Sequence, residues 1–287
     1  SEETAEAGYY AVQLDKYKVK AEATASTRAG VSRYSFPARK SNVLLNLGLG
    51  LTNEQGAMVR VVSPNEIEGM RMVGSFCYNN AEAAYPVYFV AKFSKPADDF
   101  GVWKTPYKYE GLESQWMGYN GKTRIKKGFT REVVGDSIGA YMTYDFATPQ
   151  EVEVKIGVSY VSIENARENL EQEVGDATFE EVLAETQQAW KKKLQVVEVE
   201  GGTEDEKTIF YTALYHTQIH PNTLNDFNGE YPEIATGRIG KTDGTRYTTF
   251  SLWDTYRNYH QLMSLLYPEE QLDMVRSMLE MYDENGW

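Results

Sequence analysis

The chain has 287 residues, room for one large or two ordinary domains and for a substantial core. Its 42 acidic against 29 basic side chains give a net charge of -13, which argues against a nucleic-acid partner, because binding a phosphate backbone would add repulsion instead of releasing counterions. No run approaches the roughly 18 to 20 apolar residues of a membrane span, and the opening SEETAEAGYY lacks the basic-then-apolar order of a signal peptide.

From residue 8 to about 163 the sequence consists of short alternating runs, among them YYAVQL, NVLLNLGLG, PVYFVAKFS and EVEVKIGVSYVSI. Period-two alternation rich in β-branched and aromatic residues predicts an antiparallel β-sandwich over residues 1–163. Gly48 to Gly50, Asn79 with Asn80, Asn120 with Gly121, and Gly135 with Asp136 supply turn positions. None stands in a phosphate-binding arrangement, so a nucleotide site has no support. Aromatics make up 13% of the chain, led by 21 Tyr, and they suit either the filling of a sandwich or a carbohydrate-facing surface. The lone Cys77 cannot form an internal disulfide; it reads as a small buried hydrophobe or a free thiol.

The pattern changes at Glu164, and residues 164–202 read as a helical linker. In TFEEVLAETQQAWKKKLQ, Phe179, Val182, Leu183, Trp190 and Leu194 share a face, and Thr178 with Glu181 has capping-box spacing. Glu180 and Glu181 open this helix and Lys191 to Lys193 close it as a solvated end, the order that the helix dipole favours. A second domain over 203–287 begins with a Thr203/Glu206 capping box and an apolar face of Ile209, Phe210, Ala213 and Leu214, which Pro221 stops. A third helix is predicted over 251–266, and a fourth from Pro268 with the stripe Leu272, Val275, Leu279 and Tyr282. So few helices do not close a core, so an incomplete domain with unpartnered stripes is expected.

The stretch TTFSLWDTYRNYHQL, residues 248–262, concentrates chemistry that a core helix does not need. On a helix Trp253, Asp254 and Arg257 project to one side, where Asp254 can orient the guanidinium beside the indole. Two readings stand: a wall that grips hydroxyls, or a core Trp with a partly exposed ion pair. Asn225, Asp226 and Asn228 with Gly229 have the composition of half a calcium loop but lack the distal Glu. His216 and His220 are four apart without the HExxH pattern, so no metal ligand is assigned.

The segments YTALYHT (211–217), PNTLNDFNGEY (221–231) and RYTTFSLWDTYRNYH (246–260), with GYYAVQLDKYKVKAEATASTRAGVSRYSFP (8–37), YFVAKFSKP (88–96) and KIGVSYVSIENARENLEQEV (155–174), resemble glycoside hydrolase family 92, the calcium-dependent exo-acting α-mannosidases. The resemblance implies a multidomain β + α protein: an N-terminal β-sandwich lacking its first strands, a helical linker, and the first helices of an incomplete (α/α)6 barrel. It implies a mannose-containing glycan as substrate, inversion at the anomeric centre, calcium in the intact enzyme and secreted or periplasmic localisation in a bacterium. Trp253, Asp254 and Arg257 fall on the family's WDxxR motif, with Asp254 accepting from mannose hydroxyls and Trp253 offering packing surface. His260 matches the following His, either as a sugar contact or as an interior imidazole, although Gln261 stands where the family has Pro. Asn285 and Gly286 match the beginning of a further family stretch, with Trp287 as a candidate sugar platform. The catalytic acid and base and the calcium ligands are expected outside this chain, so none is nominated and the chain alone is expected to be inactive. The alternative is a sandwich that binds carbohydrate through an exposed aromatic row, which Trp103, Trp116 or several Tyr could supply, or that merely braces a neighbour.

Overall fold

The computed structural model describes residues 2–49, 56–74, 84–105, 124–127, 131–234, 236–248 and 250–286. Gly50, Cys77, Asn79, Asn80, Trp116, Asn120, Gly121 and Trp287 lie outside them.

The alternating runs form strands β1 (Glu3–Glu6), β2 (Tyr9–Leu14), β3 (Val19–Ala25), β4 (Ala29–Phe36), β5 (Lys40–Asn46), β6 (Ala57–Ser63), β7 (Glu66–Gly74), β8 (Ala84–Phe93), β9 (Asp99–Lys104), β10 (Arg124–Lys127), β11 (Glu132–Gly135), β12 (Ile138–Asp145) and β13 (Gln150–Ser159). They make two antiparallel sheets, one ordered β1-β2-β3-β4-β13-β8-β7-β6-β11 and one ordered β10-β9-β12-β5. The sheets pack across Val59, Ile67, Phe89, Val102, Met142 and Val154, all buried. Gly135 and Asp136, read as a hairpin turn, instead carry the chain from one sheet to the other, because β11 pairs with β6 while β12 pairs with β5 and β9. Trp103 is half-buried over Gly139, where a Cβ would stand 2.4 Å from the indole, so this ring is not a free platform.

The segment expected as a linker does not act as a spacer. Helices α1 (Ile163–Glu173) and α2 (Phe179–Leu194) lie on the outer face of the large sheet, where Ala166, Leu170, Phe179 and Val182 bury Ala29, Val31 and Val90. The alternation explains this: Phe89 and Ala91 point into the sandwich and Val90 points out to the helices, so both faces of the central strands are covered. The capping box of α2 forms as expected, with Thr178 Oγ1 accepting from the Glu181 backbone and the Glu181 carboxylate accepting from the Thr178 N–H at 2.7 Å. Lys193, however, is only partly exposed: it pairs with Glu270 and sits 5.2 Å from the Tyr267 ring centroid, and burial lowers its pKa.

Gly157 sets the height of α1 over the sheet. A Cβ there would fall 2.2 Å from the Ala166 carbonyl and 2.7 Å from Leu170 Cβ, contacts that only backbone movement relieves. Gly157→Ala is expected to cost about 2 kcal/mol, read as a lowered urea midpoint.

Ion pairs fasten the same two helices. Arg167 of α1 pairs with Glu66 and Glu68, each at 2.7 Å. Glu22 on β3 accepts from Tyr9 Oη at 2.8 Å, Lys20 at 2.9 Å and Arg33 at 3.1 Å, while Arg33 also reaches Glu180 of α2. Burial opposes ionisation of Glu22, but the donors from Arg33, Lys20 and Tyr9 outweigh it and hold the carboxyl down to about 2, against 4.5 ordinarily. A folded pKa below the unfolded one means that this stabilisation is fully present above about pH 4.5 and lost as pH falls towards 2. Glu22→Gln should therefore lose about 2 kcal/mol at pH 7. The gap between variant and parent should close in denaturation curves taken between pH 4.5 and pH 2.

The remaining chain forms α3 (Glu204–His216), the short strands β14 (Glu230–Pro232) and β15 (Ile239–Lys241), then α4 (Leu252–Thr255), α5 (Tyr259–Leu266) and α6 (Pro268–Asn285). The apolar stripes of these helices stand largely exposed, as expected. On α3 only Leu214 is buried, while Ile209 is 69% and Phe210 37% exposed. On α6 the stripe Leu272, Val275, Leu279 and Tyr282 is exposed, while on the opposite face Met274 packs with Leu214, Met263 and Tyr267 and Ser277 accepts from Tyr247 N.

Candidate functional site

The stretch around Trp253 is aimed by the segment that precedes it. Residues 222–225 run beside 245–248: Leu224 N donates to the Arg246 carbonyl at 2.7 Å, Thr248 N to the Asn222 carbonyl at 2.8 Å, and Arg246 N to Asn225 Oδ1 at 2.9 Å. Below this pairing, the side chain of Arg246 is fully buried. Its Nη2 donates to both Glu284 oxygens at 3.0 and 3.1 Å, its Nη1 to Glu280 at 3.1 Å and to the Ser277 carbonyl, and the Tyr231 ring lies 4.8 Å away. The Tyr231 hydroxyl donates to Glu284, and burial followed by that bond pushes it up to about 12. This charged plug ties the β14–β15 hairpin and the approach to α4 onto α6.

The helix predicted over 251–266 is broken. Tyr256, Arg257 and Asn258 form a turn between α4 and α5, with Asn258 at φ -147° outside helical space. Side chains close the turn: Gln261 Nε2 donates to the Tyr256 carbonyl at 2.9 Å, and the Thr255 hydroxyl meets His260 Nε2 at 2.9 Å. Gln261, standing where the resemblance predicts Pro, thus takes up a carbonyl that the broken helix leaves orphaned.

The break exposes the motif. Trp253 is 79% exposed, and Asp254 and Arg257 are exposed beside it. The expected Asp254–Arg257 pair does not form among the described residues. Asp254 accepts instead from the Ser251 hydroxyl, and Arg257 Nε donates to the Tyr256 hydroxyl at 3.0 Å with its guanidinium 5.6 Å from that ring's centroid. An open indole face, a carboxylate and a guanidinium fork therefore stand on one short segment without neutralising each other. Such a set can stack on an apolar ring face and exchange hydrogen bonds with hydroxyls. His260 is half-buried with both nitrogens engaged, Nδ1 meeting Gln271 Oε1 at 3.1 Å, so it braces the turn. Trp287 lies outside the described residues.

A cleft of about 1130 Å³ separates the sandwich and α2 from α5 and α6; Arg28, Trp190, His220, Phe227, Tyr247 and Tyr259 are among its walls. Trp253, Asp254 and Arg257 do not line it. Burial and the neighbouring Tyr247 push Tyr259 up to about 12, and its hydroxyl donates to the His220 carbonyl at 2.8 Å. The stretch that resembled half a calcium loop is filled by protein donors: both Asp226 carboxylate oxygens accept from side chains of β13 and α1. Sequence reasoning missed Arg246 and the role of Asp226, because nothing in local spacing shows which distant groups a charge will meet.

Residues 1–159 match the glycosyl hydrolase family 92 N-terminal domain, and residues 165–287 match the glycosyl hydrolase family 92 catalytic domain. A family GH92 α-mannosidase from Bacteroides thetaiotaomicron, solved also in complex with mannoimidazole, is 30% identical with a TM-score of 0.84, over 99% of this chain and 36% of its own. A family GH92 inverting mannosidase from the same species is 25% identical with a TM-score of 0.82, again over 99% of this chain and 36% of its own. An uncharacterized secreted glycosidase of Arthroderma benhamiae is 25% identical over 78% of this chain and 29% of its own length. The chain thus spans about a third of the length of these relatives.

Proposed function

The chain belongs to glycosyl hydrolase family 92, and on that premise we propose that it supplies the sandwich and the first barrel helices of an exo-acting, inverting α-mannosidase that removes terminal α-linked mannose from glycans. The observation that supports this most is the open WDTYR stretch, because a Trp left 79% exposed beside a carboxylate and a guanidinium that do not pair with each other is costly for a scaffold and useful to a sugar site. Trp253 packs against the sugar ring, Asp254 accepts from its hydroxyls and Arg257 donates to them. His260 holds the turn behind these three, and Trp287 adds a second platform. In domain terms, residues 1–163 form the sandwich, 164–202 the helical connection and 203–287 the start of the catalytic barrel.

Inversion requires a carboxylic acid that protonates the leaving oxygen and a carboxylate that activates water on the opposite face, about 6.5 to 9.5 Å apart. Both are assigned to parts of the whole protein beyond these residues, and this chain alone is inactive. Calcium belongs to the whole enzyme in the same sense. Among the described residues no group of three or more His, Cys, Asp or Glu side chains is arranged to hold a metal. Secretion is supported by the name of the fungal relative; among the described residues, no helix is long and apolar enough to cross a membrane.

Proton NMR of a fresh digest of an α-linked manno-oligosaccharide by the full-length protein tests the stereochemistry. The β-anomer of free mannose should appear first and mutarotate, and first appearance of the α-anomer would overturn inversion.

A further inference from the structure

The loop between α3 and β14 carries Asp226, 2% exposed. Its Oδ2 accepts from Ser159 Oγ at 2.6 Å and Asn165 Nδ2 at 2.8 Å, and its Oδ1 from Asn169 Nδ2 at 2.7 Å. The donors come from the end of β13 and from two successive turns of α1, so one carboxylate gathers the last strand of the sandwich and the helix lying on it. Asn169 returns the contact, its Oδ1 accepting from Phe227 N at 2.7 Å while its Nδ2 also donates to the Val158 carbonyl at 2.8 Å. No Lys or Arg among the described residues pairs with Asp226, and a buried carboxylate without a cation persists only where converging dipoles replace its hydration. A second tie runs alongside, Arg28 Nε donating to the Asn225 carbonyl at 2.6 Å and Arg28 Nη1 to Glu173 at 2.7 Å.

An amide cannot substitute here. With three donors converging on two oxygens, one Asn orientation turns its NH2 group against Asn169 Nδ2 and the other turns it against Asn165 Nδ2. We propose that Asp226 is the latch that fixes the 221–231 loop, and the helical unit behind it, in one orientation on the sandwich. Because Thr223 and Phe227 of that loop and Arg28 of the sandwich are all cleft walls, the latch also sets the cleft's width.

Hydrogen exchange on the whole chain tests this without calling on any activity. Asp226→Asn should speed exchange about tenfold in peptides covering 158–170 and 222–231 and leave β6 to β8 at their original rates. Ser159→Ala removes one donor to Asp226, together with the acceptor used by Val161 N and Ser162 N, and should speed the distant 222–231 peptide about threefold. If Asp226→Asn does not fold, the Ser159→Ala result decides alone. Unchanged exchange in 222–231, or acceleration spread evenly over the sandwich, would overturn the latch.

Discussion

Asp254→Ala, made in the full-length protein, is expected to lower kcat/KM for mannose release by about a hundredfold while the melting temperature stays near that of the parent. The magnitude follows from two charge-assisted hydrogen bonds to sugar hydroxyls at about 1.5 kcal/mol each, close to 3 kcal/mol in sum. The intact fold follows from the environment of Asp254, which is exposed and bonded, among the described side chains, to Ser251 alone. A scaffold role would give the reverse: activity and stability would fall together, or neither would move. The KM against kcat split adds information, because a contact made equally to substrate and transition state raises KM and leaves kcat alone.

Glu284→Ala has the largest expected effect on stability, a loss of about 3 kcal/mol, because it takes from a buried guanidinium the carboxylate that holds its Nη2. Arg246 has no exposed surface, its Nε already lacks a partner among the described residues, and Glu284 supplies two of its bonds. Arg246→Met combined with Glu284→Leu should recover much of that loss, since it removes both charges and fills the space with apolar atoms. Urea unfolding followed by circular dichroism at 222 nm reads all three proteins. Equal stability of Glu284→Ala and the parent would mean that Glu280 alone satisfies the charge.

What the sequence discloses here depends on range. Thr178 with Glu181 and Thr203 with Glu206 are caps made within four residues, so spacing alone reveals them. The sandwich is legible for a similar reason, since inward and outward positions alternate along each strand and the hydrophobic pattern records them. The facing of α6 is not legible in this way. That helix has Leu272, Val275 and Leu279 on one side and Met274 and Met278 on another, and its tertiary partners Leu214 and Met263 decide which side packs. The break at Tyr256 to Asn258 is hidden too, because the bonds that hold it come from His260 and Gln261, which could equally have served an unbroken helix. The Asp226 latch joins residues 57 to 67 positions apart, and Arg246 meets Glu284 across 38. In the candidate site, family resemblance picked out Trp253, Asp254 and Arg257 as a group. Their separation from one another's charges is a property of the turn, and periodicity implied the opposite pairing.

The decisive assay is release of free mannose by the full-length protein from a panel of α-linked and β-linked manno-oligosaccharides, with calcium and with a chelator. Mannose is expected from α-linked non-reducing ends and not from β-linked ends, and release should be lost when calcium is removed. A folded protein that frees no mannose from any α-mannoside would contradict this, and the sandwich would then stand as a binding or bracing module without this chemistry.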